Sequence, residues 1–263
     1  MYPVLFEIAG RPVYSFGTFL AVGFLISYLY VSRRCEKIGV EDAHVLNLFI
    51  ILVITGVAGS RLMAVALAPS HYPDLKSVLQ ISNGGLAFHG GLLLALASGI
   101  GYVKARGLPL WPVLDRFGPA VPLAHASGRI GCFLYGCCFG DLTSLPWALH
   151  MPPAGPDGSW PLRHPTQIYE LALLLALVFL LDRLIDRPHR AGMVMVGYAY
   201  GYALIRFPLE LIRADNDLEP YTLGLSPGQL ACVMMVAVAA MTHAYLRSVP
   251  ETAAPSGPAK NAA

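Results

Sequence analysis

The chain has 263 residues, of which 56% are hydrophobic and only 13% charged, with a mean hydropathy of +0.57 and a formal net charge of +2. A soluble domain carries about 25% charged residues; half that density cannot cover a water-exposed globule, which argues against disorder or a water-soluble enzyme and for a membrane protein. The near-balanced charge offers no basic stripe for nucleic acid, and five cysteines without repeated CxxC spacing describe neither a disulfide framework nor a zinc ribbon.

A bilayer core about 30 Å thick needs about 20 apolar residues at ~1.5 Å rise each. In chain order the runs of that kind are Tyr14–Ser32, Ala43–Ala68, Leu86–Val103, Pro112–Phe133, Thr166–Leu181, Ala191–Ile212 and Ser226–Leu246, seven predicted spans. The first run follows Met1–Val13 without a basic leader or a clear small-residue cleavage site and is too long for a removable signal peptide, so it is expected to stay. The fourth carries Asp115, Arg116, Pro119, Pro122, His125 and Arg129. Such a helix must face protein or water, not lipid.

Orientation follows from the basic residues between the runs. Arg33, Arg34, Lys37, Lys104, Arg106, Arg116, Arg183, Arg187, Arg190, Arg247 and Lys260 fall on one side, against Arg11, Lys76 and Arg163 on the other. Eleven against three is a positive-inside bias that puts the N-terminus outside the cytoplasm and the C-terminus inside. The outer segment 141–165, rich in Pro and Gly with Trp147 and Trp160, is long enough for a small head on the membrane. Residues 250–263 read as a disordered tail. No internal repeat is visible, so residues 1–249 are expected to form a single domain.

Four arginines remain: Arg61, Arg129, Arg206 and Arg213, each within or near the end of an apolar run, as are Glu170 and Glu210. An arginine at a helix centre costs about 2.5–3.5 kcal/mol on insertion scales, so each needs a partner or a task. Internal pairing or snorkelling is the plain reading, easiest for Arg213, three residues after Glu210 and expected on the same helix face. The functional reading is that Arg129 and Arg206 line a cavity for an anion. Guanidinium stays charged in a poor solvent and offers planar, paired donors to phosphate, and the abundant anion at that depth is a phospholipid phosphodiester.

Groups suited to proton transfer lie nearby in the sequence. His89 stands in Gly84-Gly85-Leu86-Ala87-Phe88-His89-Gly90-Gly91, where the glycines permit close backbone approach or a break near a helix start. Its imidazole can exchange a proton near neutral pH, the alternative being a buried histidine bonded to a carbonyl. His125, four residues before Arg129, is a second candidate base. Tyr202 and Tyr198 precede Arg206 by four and eight residues; such a stripe more often packs than reacts.

Four glycines between Gly128 and Gly140 argue against a continuous helix there and for a turn of the backbone. The three cysteines in that stretch, Cys132, Cys137 and Cys138, have a C-x4-C-C spacing unusual for zinc, with no second ligand pair evident. A disulfide is open to them, although adjacent Cys137 and Cys138 would bond each other only with strain.

In this order, Tyr14-Ser15-Phe16-Gly17, Gly59-Ser60-Arg61, the Gly84–Gly91 stretch, Gly128-Arg129-Ile130-Gly131, Arg163-His164-Pro165-Thr166-Gln167-Ile168-Tyr169-Glu170, and Gly201-Tyr202 through Arg206 to Glu210 and Arg213 resemble the motifs of the prolipoprotein diacylglyceryl transferases. The likeness runs from about Val13 to Leu246. It implies an all-α integral membrane protein of the bacterial inner (cytoplasmic) membrane, with seven transmembrane helices, a periplasmic N-terminus and head, and a cytoplasmic C-terminus. It also implies transfer of a diacylglyceryl group from phosphatidylglycerol to the lipobox cysteine thiol of a preprolipoprotein, releasing glycerol phosphate. The partners are then membrane lipid and the preprolipoprotein, with no nucleic acid, metal or organic cofactor.

Carried over by position, the resemblance makes His89 the group that helps activate the thiol and Arg129 the contact to the lipid phosphate. Tyr202 and Arg206 form a pair near the reacting centre, with Glu210 and Arg213 on the same helix. The expected catalytic set is His89, Arg206 and Tyr202, and the expected substrate-binding set Arg129, Gly140, Glu210, Arg213 and Arg61. The family signature usually reads GRxGNFxNxExxG, whereas this chain is a cysteine-bearing variant: Cys132 and Tyr135 stand for the two Asn, and Cys137 for the Glu. Phe16 occupies a position where tyrosine is common. Cysteine supplies neither the hydrogen bonds of Asn nor the charge of Glu, so a paralogue with altered substrate is one alternative. Another is a non-catalytic phospholipid-binding or transport protein, which has no need of a proton acceptor at His89. A seven-helix receptor leaves the glycine-rich signature unexplained.

Overall fold

The computed structural model describes residues 1–80, 85, 87–152, 158–214 and 224–249. The expected tail at 250–263 lies outside them. The helices are α1 (Ser15–Glu36), α2 (Asp42–Leu67), the five-residue α3 (Leu75–Leu79), α4 (Phe88–Ala105), α5 (Leu110–Tyr135), α6 (Thr166–Ile185), α7 (Met193–Leu209) and α8 (Pro227–Ser248). The seven long ones coincide with the seven apolar runs, because a run of that length buries its backbone polar groups only by helical hydrogen bonding. Three of them, α1, α2 and α8, are long and apolar enough to cross a membrane on length and composition alone. The protein is a mostly helical membrane protein.

The chain forms two compact units, Met1–Val31 with Leu114–Ala263, and Ser32–Val113. In the first, the expectation of a purely helical chain is corrected by two small hairpins. Strands β1 (Val4–Ile8) and β2 (Arg11–Tyr14) pair antiparallel, with Ile8 opposite Arg11. The two residues between them, Ala9 and Gly10, have φ of +51° and +74°, the turn whose twist suits a two-residue hairpin. Strands β3 (Leu149–His150) and β4 (Leu162–Arg163) pair within the segment expected as a head. Periodicity could not reveal either hairpin, since both are short and largely exposed.

Helix α5 is the spine of this unit, and from Leu110 to Leu134 none of its residues is exposed. That burial meets the requirement its charges and prolines impose. It packs closely on α1: Gly23 lies under Ala124 and Ser127, Gly131 under Phe16, and Ser27 and Ser127 donate to the carbonyls of Ala120 and Phe19 at 2.8 and 2.6 Å. Small residues at a crossing let backbones approach where no hydrophobic force separates helix from lipid. The predicted break within Gly128–Gly140 falls late. The helix continues through Gly128 and Gly131, the latter closely approached by α1, and ends at Tyr135 before Gly136 turns at φ +87°.

Asp115, expected only as an interruption, is fully buried and caps α7. Its carboxylate accepts from the backbone N–H groups of Gly192 (2.6 Å), Val194 (2.9 Å) and Met195 (3.0 Å), the orphan donors at that helix's start. Helix α6 buries Gln167, Glu170, Leu174, Leu177, Leu181 and Ile185 on one stripe at helical spacing. Its lower part forms a core with Val194, against which Tyr198, Tyr202 and Ile205 of α7 pack. Helix α8 starts in a capping box in which the Ser226 hydroxyl accepts from Gln229 N–H and the Gln229 side chain from Ser226 N–H.

The second unit is built on the pair α2 and α4. A side chain at Gly90 would collide with the carbonyl of Gly59, and one at Gly91 with the Ser60 hydroxyl and the carbonyl of Gly56. The glycines flanking His89 therefore bring two helix backbones into contact. Thr55 and Ser98 hydroxyls, 2.8 Å apart, tie the same helices together.

Candidate active site

In the first unit, side chains from three helices meet around Glu170 of α6, which is 2% exposed. Arg129 of α5 donates from Nη2 to Glu170 Oε1 at 2.9 Å, and His125, one turn earlier, brings Nε2 to 3.4 Å from the same oxygen. Arg206 of α7 sets Nη1 3.8 Å from Glu170 Oε2, and its Nη2 pairs with Glu210 at 2.5 Å. Arg129 and Arg206, expected from sequence to act together, thus meet at a carboxylate that sequence had marked only as a charge within an apolar run. The signal was there: a single glutamate in the first turns of α6 needs positive partners to be tolerated at that depth.

Glu210 is held from a second side. The Ser226 hydroxyl donates to Glu210 Oε1 at 3.2 Å, and a side chain at Gly228 would strike the carboxylate. The charge therefore rests on the first turn of α8, where the helix dipole favours an anion. Tyr202, one turn before Arg206, lays its ring 5.4 Å from that of His125 and stacks with Tyr198 at 5.9 Å.

The expectation that Glu210 and Arg213 share one helix face is corrected by the backbone. Helix α7 ends at Leu209, residues Glu210–Ile212 form a 3-10 turn, and Arg213 is extended, bridging in antiparallel fashion to Gly140. Glu210 and Arg213 are therefore not on one continuous α-helical face. Pro208 and the 3-10 turn end the regular geometry first. Gly140 sits at the crossing of three segments. Its N–H donates to His164 O at 2.9 Å, and a Cβ there would lie 2.6 Å from His164 Cβ, 2.7 Å from Ile212 O and 2.8 Å from Thr166 Cγ2. Only glycine fits this junction.

Around Glu170 and Glu210, then, two carboxylates face Arg129 and Arg206. Among the described residues, Arg129 Nε and Arg206 Nη1 are buried without a hydrogen-bond partner. Buried guanidinium donors with hydrogen-bonding capacity left over suit an anionic oxygen acceptor.

His89 and Arg61 belong to the second unit. His89 is the second residue of α4, exposed, with its ring 5.8 Å from that of Phe88. Arg61 of α2 is buried, and its donors are taken by backbone carbonyls: Nε to Val78 (2.8 Å), Nη1 to Gly85 (2.9 Å), and Nη2 to Ser77 (2.6 Å) and Gln80 (2.9 Å). Its guanidinium also covers the Tyr72 ring at 4.5 Å. Arg61 thus gathers the carbonyls of residues 77, 78, 80 and 85 around one guanidinium.

Comparison with known proteins supplies the remaining evidence. The family model described as prolipoprotein diacylglyceryl transferase matches residues 3–245. A phosphatidylglycerol--prolipoprotein diacylglyceryl transferase of Clostridium tetani is 31% identical over 82% of this chain and 86% of its own length. Proteins of the same name from Bordetella bronchiseptica and Methylibium petroleiphilum are 32% and 34% identical, over 94% and 89% of this chain and 96% and 92% of their own lengths. Matched over nearly its whole length by both the family model and these relatives, the chain belongs to the prolipoprotein diacylglyceryl transferase family.

Proposed function

We propose that this protein transfers the diacylglyceryl group of phosphatidylglycerol to the lipobox cysteine thiol of preprolipoproteins, at the periplasmic face of the bacterial inner membrane. The observation that carries this reading is the Arg129–Glu170–Arg206–Glu210 cluster, in which Arg129 Nε and Arg206 Nη1 are buried without a hydrogen-bond partner. A phosphodiester offers the oxygen acceptors such donors bind. The chain crosses the membrane seven times, with its N-terminus periplasmic, its C-terminus cytoplasmic and residues 141–165 forming the head. Eleven basic residues against three support that orientation. Residues 1–249 act as one catalytic domain.

In the reaction, the lipobox thiol, with an ordinary pKa near 8.5, gives its proton to His89 and becomes the thiolate. The sulfur attacks the glyceryl carbon. A C–S bond forms, the C–O bond to phosphate breaks, and its electron pair leaves on the oxygen of glycerol phosphate. That departing charge is what Arg129 and Arg206 stabilise, in a site whose burial strengthens each donor. The imidazolium then returns its proton to the phosphate. Tyr202 lies beside Arg206 at the reacting centre, Glu210 and Arg213 complete the headgroup site, Gly140 holds their junction, and Arg61 fixes the segment before His89.

The test is an assay of purified protein with phosphatidylglycerol and a lipobox peptide, reading peptide mass and released glycerol phosphate. Wild type adds the diacylglyceryl mass and releases one glycerol phosphate per thioether. His89→Ala and Arg129→Ala remain folded and inserted but lose the product. Normal rates in both variants would overturn the assignment.

A further inference from the structure

Cys132, Cys137 and Cys138 take no part in the transfer described above. Their side chains nevertheless come together: all three Sγ atoms lie within 4.8 Å of one another. The fold produces this in two steps. Cys132 lies in the last turn of α5, and the N–H groups of Gly136 and Cys137 both return to its carbonyl, at 2.9 and 3.1 Å, so the chain curls back over it. Cys138 then adopts φ +62°, one of two non-glycine residues described in the left-handed region.

The curl is fixed from α6. Gln167 Nε2 donates to Cys137 O at 2.6 Å, and the Thr166 hydroxyl donates to Cys138 O at 2.7 Å. Cys132 is buried, while Cys137 and Cys138 are half-buried, so the cluster has both a wall and an approach.

We propose that Cys132, Cys137 and Cys138 form a three-thiolate site for a soft d10 cation of the zinc and cadmium class. With a metal–sulfur distance of about 2.3 Å, three thiolates round one ion stand roughly 3.8–4.0 Å apart in tetrahedral or trigonal geometry. The sulfurs need move by less than about 1 Å to reach it. C-x4-C-C is not a familiar ligand spacing because such spacings assume ligands on a simple knuckle. Here a helix end and a left-handed residue bring the third sulfur in. Soft thiolates select this class of ion over magnesium or calcium.

The thiolate is the ligating form, so binding the ion releases the thiol protons. A disulfide is the competing fate. It would use two sulfurs and leave the third idle, whereas the three lie within one common span.

The experiment uses full-length protein in detergent, reduced and then freed of reductant, and titrated with Zn2+ or Cd2+ alone. One ion binds per chain, thiolate-to-cadmium charge-transfer absorption appears, and mass spectrometry finds Cys132, Cys137 and Cys138 protected from alkylation. Each single Cys→Ser change at these positions weakens binding at least tenfold and the triple change abolishes it, while Cys35→Ser and Cys232→Ser leave it intact. Metal-free thermal unfolding confirms that the variants are folded. Lack of uptake by the wild type, uptake that survives in the triple variant, or a disulfide among the three that persists under these conditions each overturns the proposal. None of these readouts depends on transferase activity.

Discussion

Replacing Glu170 by Gln tests the charge arrangement at the centre of the protein. The substitution keeps the shape and removes one negative charge from between two guanidinium groups, at 2.9 Å from Arg129 and 3.8 Å from Arg206, where the glutamate side chain is only 3% exposed. At an effective dielectric of about 20, each unit-charge pair at ~4 Å is worth roughly 4 kcal/mol. Removing one partner from a buried pair costs about 3–5 kcal/mol, chiefly because the other charge is left uncompensated. At ~2–4 °C per kcal/mol, the expected fall in unfolding midpoint is on the order of 10 °C, read by tryptophan fluorescence or calorimetry on the detergent-solubilised protein. The added excess of positive charge also makes anionic lipid more stabilising. Phosphatidylglycerol should therefore raise the midpoint of Glu170→Gln by more than that of wild type, and the pair Arg129→Gln with Glu170→Gln should be more stable than Glu170→Gln alone while remaining inactive. A variant as stable as wild type, with no added response to anionic lipid, would refute the idea that Glu170 balances these arginines.

Other changes probe the supports of the site. Gly140→Ala forces a methyl into the junction of residues 140, 164, 166 and 212, costing about 1–3 kcal/mol and lowering transfer in the peptide assay; unchanged activity and unfolding midpoint would refute the tight fit. Asp115→Asn keeps one acceptor oxygen and turns an amide donor toward the N–H groups of α7, for a loss of about 1–3 kcal/mol in thermal unfolding; an unchanged midpoint would count against the cap. Arg61→Ala releases the carbonyls of Ser77, Val78, Gln80 and Gly85. Amide hydrogen exchange across residues 72–80 should then quicken by about tenfold or more, an effect that would not appear if the segment held its own shape.

The helical plan was legible because a membrane leaves the chain few choices. Apolar runs such as Ala43–Ala68 and Ser226–Leu246 become helices, here Asp42–Leu67 and Pro227–Ser248, whatever lies beside them. The same reasoning marked Arg129, Arg206 and Glu210 as costly and therefore partnered. It faltered where local rules had two outcomes. Glycines in 128–140 read as helix breakers, yet Gly128 and Gly131 stay inside α5, where Gly131 accommodates the backbone at Phe16 of α1. Glu210 and Arg213 read as neighbours on one helix, but the helix ends at Leu209 and Arg213 is extended.

Sequence by itself therefore determined which segments are helical, how many charges must be sheltered, and to which family the motifs point. Tertiary structure decided which charges meet. Glu170 and Arg129 are 41 positions apart, Asp115 and Gly192 are 77 apart, and the third sulfur joins the cysteine cluster only through a left-handed backbone at Cys138. The physical reason is that hydropathy and helical period act within a few turns. Pairing of buried charges and the closest approach of backbones depend instead on side chains that the sequence separates and packing alone brings together.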